Sequence, residues 1–290
     1  MPHNKKKENL TLASFDDIFN TNPSSNDNEG IVNIPLCDLH PPEFHPFQVN
    51  DDDDMYRLTE SVRQHGVLEP GLVRSRNEGG YELLCGNRRK RASELAKIST
   101  LPVIIHELDD NTAALVMVES NLSCREKILP SERAWAYRVM MEALNHNGIK
   151  SESHSYEILV ERTGVKKSQL FRFIRLTELI APLSDRVDKN QLAFNPAVEL
   201  SYLSVKEQTA VVDAMTRHEI KPSLSQAVRL KKMKQDGTLT DDVIDDVLSE
   251  VKKPETDESS SSTKYRKYFP PDFSQKQMDQ VIVKLLKTGK

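Results

Sequence analysis

The chain has little that would place it in a membrane, staple it with disulfides or build it around a metal. In 290 residues no apolar run approaches the ~18 that a membrane helix needs. The opening stretch MPHNKKKENLTLASFDD also lacks the hydrophobic centre of a secretion signal. The expectation is a cytoplasmic protein with no membrane partner. The 3 cysteines, Cys37, Cys85 and Cys124, are scattered and odd in number, which reads as reduced thiols. The 8 histidines show no paired ligand spacing, so the pattern speaks against structural zinc. Positive charge is not in excess: 40 Lys and Arg against 44 Asp and Glu leave a net charge of -4. Any nucleic-acid site must therefore be a local patch rather than a property of the whole molecule.

What is present suffices for a sizeable core, since 37% of the residues are hydrophobic and the length predicts about two or three compact units. Residues 1–30 end in NTNPSSNDNEG and read as a flexible leader. From 31 to 125 short strand-like stretches alternate with helices. IVNIPL alternates in polarity, MYRLTESVRQHG has helical spacing and a glycine stop, and GLVRS, YELLC and LPVIIHEL are strand-like. From 126 to 250 the pattern is helical. SERAWAYRVMMEALNHNG buries Ala134, Tyr137, Val139, Met141 and Leu144, with Ser131 as its cap and Gly148 as its stop. A Pro/Ser/charge linker over 251–263 leads to a short segment, 264–290, with one helix at SQKQMDQVIVKLLK. The predicted fold is thus an α+β N-terminal domain, an all-α domain and a short C-terminal helical segment.

Two stretches carry chemistry. The first is LLCGNRRKRASELA, residues 83–96, where four consecutive cations, Arg88 to Arg91, follow a glycine and open a helix behind a strand. Backbone N–H groups at a helix start point outward without partners, so cations there reinforce an attraction for phosphate. The second is SYEILVERTGVKKSQLFRFIRL, residues 155–176, two amphipathic helices about a turn at Thr163-Gly164. That is the layout of a helix-turn-helix, whose second helix enters the major groove. Val160, Val165, Leu170 and Ile174 would pack the pair together, leaving Lys166, Lys167, Ser168, Gln169 and Arg172 outward. Arg162 to Arg175 holds five cations and no acid. Lys and Ser at the turn suit phosphates, while Gln169 can reach adenine and Arg172 guanine. The same layout also suits a plain helical hairpin, and RLKKMK at 229–234 suits either a solvated face or neighbouring phosphates.

Taken together, these motifs resemble the ParB/Spo0J-type family of chromosome and plasmid partition proteins, in particular the versions carried on plasmids and mobile elements of Gram-positive bacteria. QHGVLEPGLVR followed by YELLCGNRRKRASELAKISTLPVII is similar to the family's N-terminal signature, and VESNLSCREKILPSERAWAY to its second box. The helix-turn-helix follows at the family's distance. The resemblance covers about residues 31–250, and 264–290 is also similar to the subgroup's C-terminal piece.

It implies that the arginine run holds the triphosphate of CTP with Mg2+, closing a gate that makes a homodimer a DNA clamp. The implied nucleotide-binding residues are Gly86, Asn87, Arg88, Arg89, Arg91, Asn121 and Arg125, with His45 and Gln48 of HPFQV nearby. The implied DNA contacts are Lys166, Lys167, Ser168, Gln169, Arg172 and Arg175, reading an inverted repeat in double-stranded DNA. A partner ATPase of the ParA type would meet the leader at NKKKENLTL, and the protein would sit on the nucleoid or a plasmid.

The chain departs from the family pattern at several points. Asn87 stands where the motif usually has Glu, Ser120 precedes Asn121, and Cys124 precedes Arg125. Glu119 could replace the lost carboxylate only with a backbone shift. Glu119 and Asn121 are the weak catalytic candidates, with Asn121 the one offered for Mg2+. Lost carboxylates weaken metal-assisted hydrolysis more than phosphate binding. In the hairpin, Lys166 replaces a capping Ser and Val160 a small Ala. Two other functions stay open: a transcriptional regulator that kept the fold without the nucleotide switch, and a phosphotransfer enzyme of a related N-terminal fold.

Smaller signals read more plainly. DDDD at 51–54 is a solvated helix start before Met55, and Trp135 is a core residue. Cys124 has in Arg125 a neighbour that lowers a thiol pKa, but no His at a useful offset to act as its base.

Overall fold

The computed structural model describes residues 30–125, 127–146, 152–250, 268–270 and 273–288. The leader before Gly30, the linker over 251–263 and the Gly148 stop lie outside the described residues. The chain divides into two compact units, Met1–Leu248 and Ser249–Lys290.

The first unit begins with a five-stranded sheet. β1 is Val32–Pro35, β2 Leu39–His40, β3 Gly71–Ser75, β4 Tyr81–Cys85 and β5 Thr100–Ile105, with α1, Asp53–His65, before β3 and α2, Asn87–Leu95, after β4. The strand order is β1-β5-β3-β4-β2. β1 pairs with β5 and β3 with β4 antiparallel, while β3 pairs with β5 and β2 with β4 in parallel. The three strand-like stretches after residue 70 thus became strands, and the central one, β3, buries Leu72 and Val73 completely. Each such side chain contributes roughly 1.5–3 kcal/mol of transfer free energy. β3 opens on glycine because β4 passes close: a Cβ at Gly71 would lie 3.0 Å from the Cys85 carbonyl oxygen.

The aspartate run starts α1 as expected. Asp52 is the cap, its carboxylate accepting from the Met55 N–H at 2.8 Å. Asp53 and Asp54 complement the positive end of the helix dipole. Met55, Thr59 and Val62 turn inward at helical spacing, and Gly66 with φ 73° ends the helix.

Nine further helices follow among the described residues of this unit: α3 Asp110–Cys124, α4 Pro130–His146, α5 Glu152–Thr163, α6 Lys167–Leu176, α7 Ala181–Asp188, α8 Phe194–Leu200, α9 Val205–Arg217, α10 Leu224–Gln235 and α11 Asp241–Ser249. Helix α3 is capped by Asp109, which accepts from Asn111 and Thr112 at 3.0 Å each. Leu115, Val116, Met117 and Val118 of α3 are all buried, so it is covered on several faces. One apolar cluster runs from Leu72 and Leu84 of the sheet through α3 and α4 to Val247 of α11. Ser204 and Ser223 begin α9 and α10 with reciprocal capping boxes.

Two readings of α4 need correction. Ser131 does not cap it. The helix begins at Pro130, and both the Ser131 N–H (3.0 Å) and its hydroxyl donate to Asp188 at the end of α7. A carboxylate distant in sequence therefore replaces the local cap. Trp135 is not core either: it is partly exposed, its ring centroid 5.4 Å from Phe44 with the Arg138 guanidinium 5.6 Å away on the other contact. The pair borders an open cavity of about 480 Å³ floored by Leu84, Ala113 and Met117. The interior of α4 is instead held by Ala134, Tyr137, Met140, Met141 and Leu144, with Val139 partly buried.

In the second unit α12 spans Gln275–Thr288, close to the helix expected at 274–287. Ser274 starts it by donating its N–H and hydroxyl to Gln277 Oε1, each at 2.8 Å. No described helix is long and apolar enough to cross a membrane.

Candidate functional site: two basic helix starts

The arginine run does begin a helix directly after β4. Gly86 is the cap residue, in the left-handed region at φ 113°. A Cβ there would meet Gly71 Cα at 3.2 Å, so both the backbone angle and the packing demand glycine. The first helical bond is Lys90 N–H to the Gly86 carbonyl, which leaves the N–H groups of the first turn pointing outward.

The four cations are not equivalent. Arg89 turns back to donate to the carbonyls of Glu69 (2.8 Å) and Pro70 (2.5 Å), holding the loop that leads into β3. Lys90 donates to the Leu39 carbonyl at 2.7 Å and pins β2. Arg91 makes a two-pronged pair with Asp51, at 2.9 and 2.6 Å. The pair raises the Arg91 pKa and lowers that of Asp51. Arg88 has the loosest partner, Asp52 at 3.6 Å.

Around Arg88 the loop after β2 and the end of α3 converge. Arg125 lies at the α3 terminus, its guanidinium donating to the Gln48 carbonyl (3.1 Å), 3.7 Å from Glu132 and 5.2 Å from the Phe47 ring centroid. Burial pulls its pKa down, and Arg88 adds to the effect against Glu132. The Gln48 N–H donates to Glu132 at 2.8 Å, so this loop is fixed from both sides. His45 contacts the Phe47 carbonyl through Nδ1 at 2.7 Å and the Asn87 amide through Nε2 at 3.2 Å. With Nδ1 donating, Nε2 is left to accept from Asn87, which requires a neutral ring. Burial lowers the His45 pKa in the same sense. Gly86, Asn87, Arg88, His45 and Arg125 thus gather at one corner, with Asp52 beside Arg88 and Glu132 beside Arg125.

The other expected members stand apart. Asn121 is one turn before Arg125 and donates to the Met117 carbonyl at 2.8 Å, leaving its own Oδ1 as the oxygen it can offer. Glu119 faces elsewhere, bonded to Arg162 of α5 at 2.6 Å with both side chains largely buried. Among the described residues no cluster of three or more His, Cys, Asp or Glu is arranged to hold a metal. The donor set fits a phosphate group and does not by itself build a metal site. Burial pushes the Cys124 thiol up rather than down, with Arg89 opposing more weakly, so Arg125 does not activate it.

The second basic start is α6. A three-residue turn with Gly164 at φ 67° separates it from α5. Leu170, Phe173 and Leu176 are buried, with Val160, Val165 and Ile174 packed against the same core, as the spacing predicts. Phe173 meets Tyr137 and Phe194 edge-on at 5.6 and 4.8 Å between centroids, which fixes the roll of the helix. Lys166, Lys167, Ser168 and Gln169 are exposed.

Arg172 is half-buried, bonded to Asn195 and stacked over Phe194 at 5.3 Å. Arg175 leans further inward, donating to the Ser201 carbonyl at 2.7 Å and lying 4.3 Å from the Tyr202 centroid. The RLKKMK cluster lies on α10 and is likewise engaged: Lys231 reaches Glu199 at 2.8 Å and Tyr202 at 3.7 Å, and Lys234 reaches the Tyr202 carbonyl. Sequence reasoning missed Asp51 and Asp52 as counter-ions of the arginine run, because nothing in their spacing shows which helix they face.

The α+β module that carries this corner shares its apolar core with the helical array. Residues 20–122 match the ParB N-terminal domain, so this part of the chain is similar to that domain. Among curated proteins it is 31% identical over 178 residues to a nucleoid occlusion protein of Listeria innocua, covering 61% of this chain and 60% of that one. It is 29% identical over 224 residues to the nucleoid occlusion protein of Halalkalibacterium halodurans, covering 77% and 73%. The chain thus spans 60% of the length of the Listeria relative. Among solved structures, it is similar to a C-terminally truncated ParB from Caulobacter crescentus complexed to the centromeric parS site, with 22% identity and a TM-score of 0.44 over 69% of this chain and 98% of that one. The same protein complexed with CTP-gamma-S gives 24% identity and a TM-score of 0.31, over 64% and 99%.

Proposed function

We propose that this protein is a sequence-specific double-stranded DNA-binding protein of the partition or nucleoid-occlusion kind, working as a homodimer on an inverted repeat. The observation that carries the reading is the α6 face. Lys166, Lys167, Ser168 and Gln169 are exposed at the start of a helix whose opposite side is locked in the core. No acid lies between Arg162 and Arg175. In this reading Lys166, Lys167 and Ser168 hold phosphates, while Gln169 and Arg172 read base edges. Arg175, tied to Ser201 and Tyr202, sets the pitch of the helix from behind.

The corner around Arg88 takes the triphosphate of a nucleotide, CTP by family resemblance. Gly86 and the first N–H groups of α2 receive a phosphate oxygen, Arg88 moves from Asp52 onto it, and Arg125 supplies field from the other side. Arg89 shapes the cradle through Glu69 and Pro70, and Arg91 contributes when Asp51 releases it. Mg2+ accompanies the triphosphate in this reading, and Asn121 Oδ1 is the protein oxygen that would be offered to it. Glu119 takes no part, because Arg162 already holds it. A clamp gated by this nucleotide, a ParA-type partner ATPase and residence on nucleoid or plasmid DNA complete the proposal.

A regulator without nucleotide switching is the second reading. It is favoured by the engagement of Arg89, Lys90 and Arg91 with the protein's own carbonyls and carboxylates. One experiment separates the two. The purified chain is mixed with labelled CTP, GTP, ATP or UTP plus Mg2+, with and without fragments of its own locus. Selective CTP binding that Arg88→Ala abolishes supports the gated clamp. DNA binding with no nucleotide bound leaves the regulator.

A further inference from the structure

Helix α6 carries one residue that neither its packing nor its charge explains. Phe171 is 47% exposed, on a helix turn shared with the exposed Lys167 and Ser168 and the half-buried Arg172. It lies four residues after Lys167 and four before Arg175, opposite the buried stripe of Leu170, Phe173 and Leu176. The phenyl group is therefore at the centre of the outward face. Its direction is set, because Phe173 is wedged between Tyr137 and Phe194 on the other side.

A lone exposed aromatic is ordinary on a protein surface. Here the surroundings select the partner: Lys167, Ser168 and Arg172 ring it, and no acid lies nearby in the helix. An apolar protein partner would have to desolvate those cations, whereas duplex DNA neutralises them with phosphate and still offers an apolar group in the major groove. That group is the C5-methyl of thymine, the one feature of a base edge that an aromatic ring can recognise without a hydrogen bond.

We propose that Phe171 is a specificity-determining residue that reads a thymine methyl in each half-site, one helical turn from the phosphates held by Lys167 on the same outward face. The inference rests on the DNA-binding reading above and adds a base to it.

The test first selects bound duplexes from a randomised pool with the full chain, then replaces each thymine singly by deoxyuridine, which removes only the methyl. Affinity is measured for the wild type and for Phe171→Ala, whose exposed site makes it a mild change; circular dichroism checks the fold. One thymine per half-site should cost the wild type about fourfold on replacement, the weight of one buried methyl. Phe171→Ala should not distinguish the two duplexes. A wild type indifferent to every replacement, or a variant that keeps the discrimination, overturns the assignment while leaving DNA binding intact. A pool in which no sequence is enriched defeats the DNA-binding reading itself.

Discussion

Helices α2 and α6 both open on clustered cations after a glycine, yet the fold treats them in opposite ways. In α2 the cations face inward to the module. Arg89 and Lys90 satisfy backbone carbonyls, Arg91 has Asp51, and only Arg88 is loosely held. In α6 the first turn is exposed, and Glu119 of α3 is bonded to Arg162 one helix earlier. A basic run is thus a ligand site only to the extent that its own protein leaves it unpaired. In α2 a ligand must compete with internal acceptors; in α6 the first turn lies open to solvent, with Lys167 over the Tyr156 ring at 5.5 Å.

The largest effect is expected at the Glu119–Arg162 pair, which ties α3 to α5 behind the basic face. Removing one partner by Arg162→Ala strands a largely buried carboxylate and should cost about 3 kcal/mol in denaturant unfolding. The double change Glu119→Gln with Arg162→Met should recover most of that loss. Equal stability of the single variant and the wild type would show that the pair does not hold α3 against α5.

Next in size is the contrast within α2. Arg89→Ala removes two carbonyl partners and should lower stability by about 2 kcal/mol together with nucleotide affinity. Arg88→Ala should abolish nucleotide binding with an unchanged melting curve. If both variants lose binding with no change in stability, Arg89 is a ligand group and not a strut.

On α6, Gln169→Ala should weaken the best DNA site by about 1–3 kcal/mol and relax one base position. Lys167→Ala should weaken all sequences alike and reduce the salt slope by about 0.9. A single shared effect on both would place Gln169 on the backbone rather than on a base.

The smallest effect concerns His45. Its folded pKa is lowered from 6.5, so the unfolded chain takes up the proton first as pH falls. Its contribution is present above pH 6.5 and is lost as pH drops through the lowered value. Stability of the wild type should therefore decline below pH 6.5 more steeply than that of His45→Gln, seen in urea midpoints against pH. Parallel slopes would mean that the ring takes up its proton alike in the folded and the unfolded chain.

Much of this was legible in the chain itself. The strand-like stretches after residue 70 became β3, β4 and β5, the aspartate run began α1, and the arginine run opened a helix behind β4. These features depend on neighbours within a few residues, as does the inward stripe of α6. The failures share one cause. The cap of α4 came from Asp188, 57 residues away, and Trp135 moved outward because Met140, Met141 and Leu144 fill the core side of its helix.

The sequence alone settled which stretches are helices or strands and, α4 aside, where they begin and which faces are apolar, since these follow from backbone sterics and side-chain periodicity. It also placed the two cation clusters at helix starts. Which cations stay available was decided only by tertiary structure. Asp51 reaches Arg91 across 40 residues and Glu119 reaches Arg162 across 43, and Coulomb attraction acts through space without regard to separation along the chain.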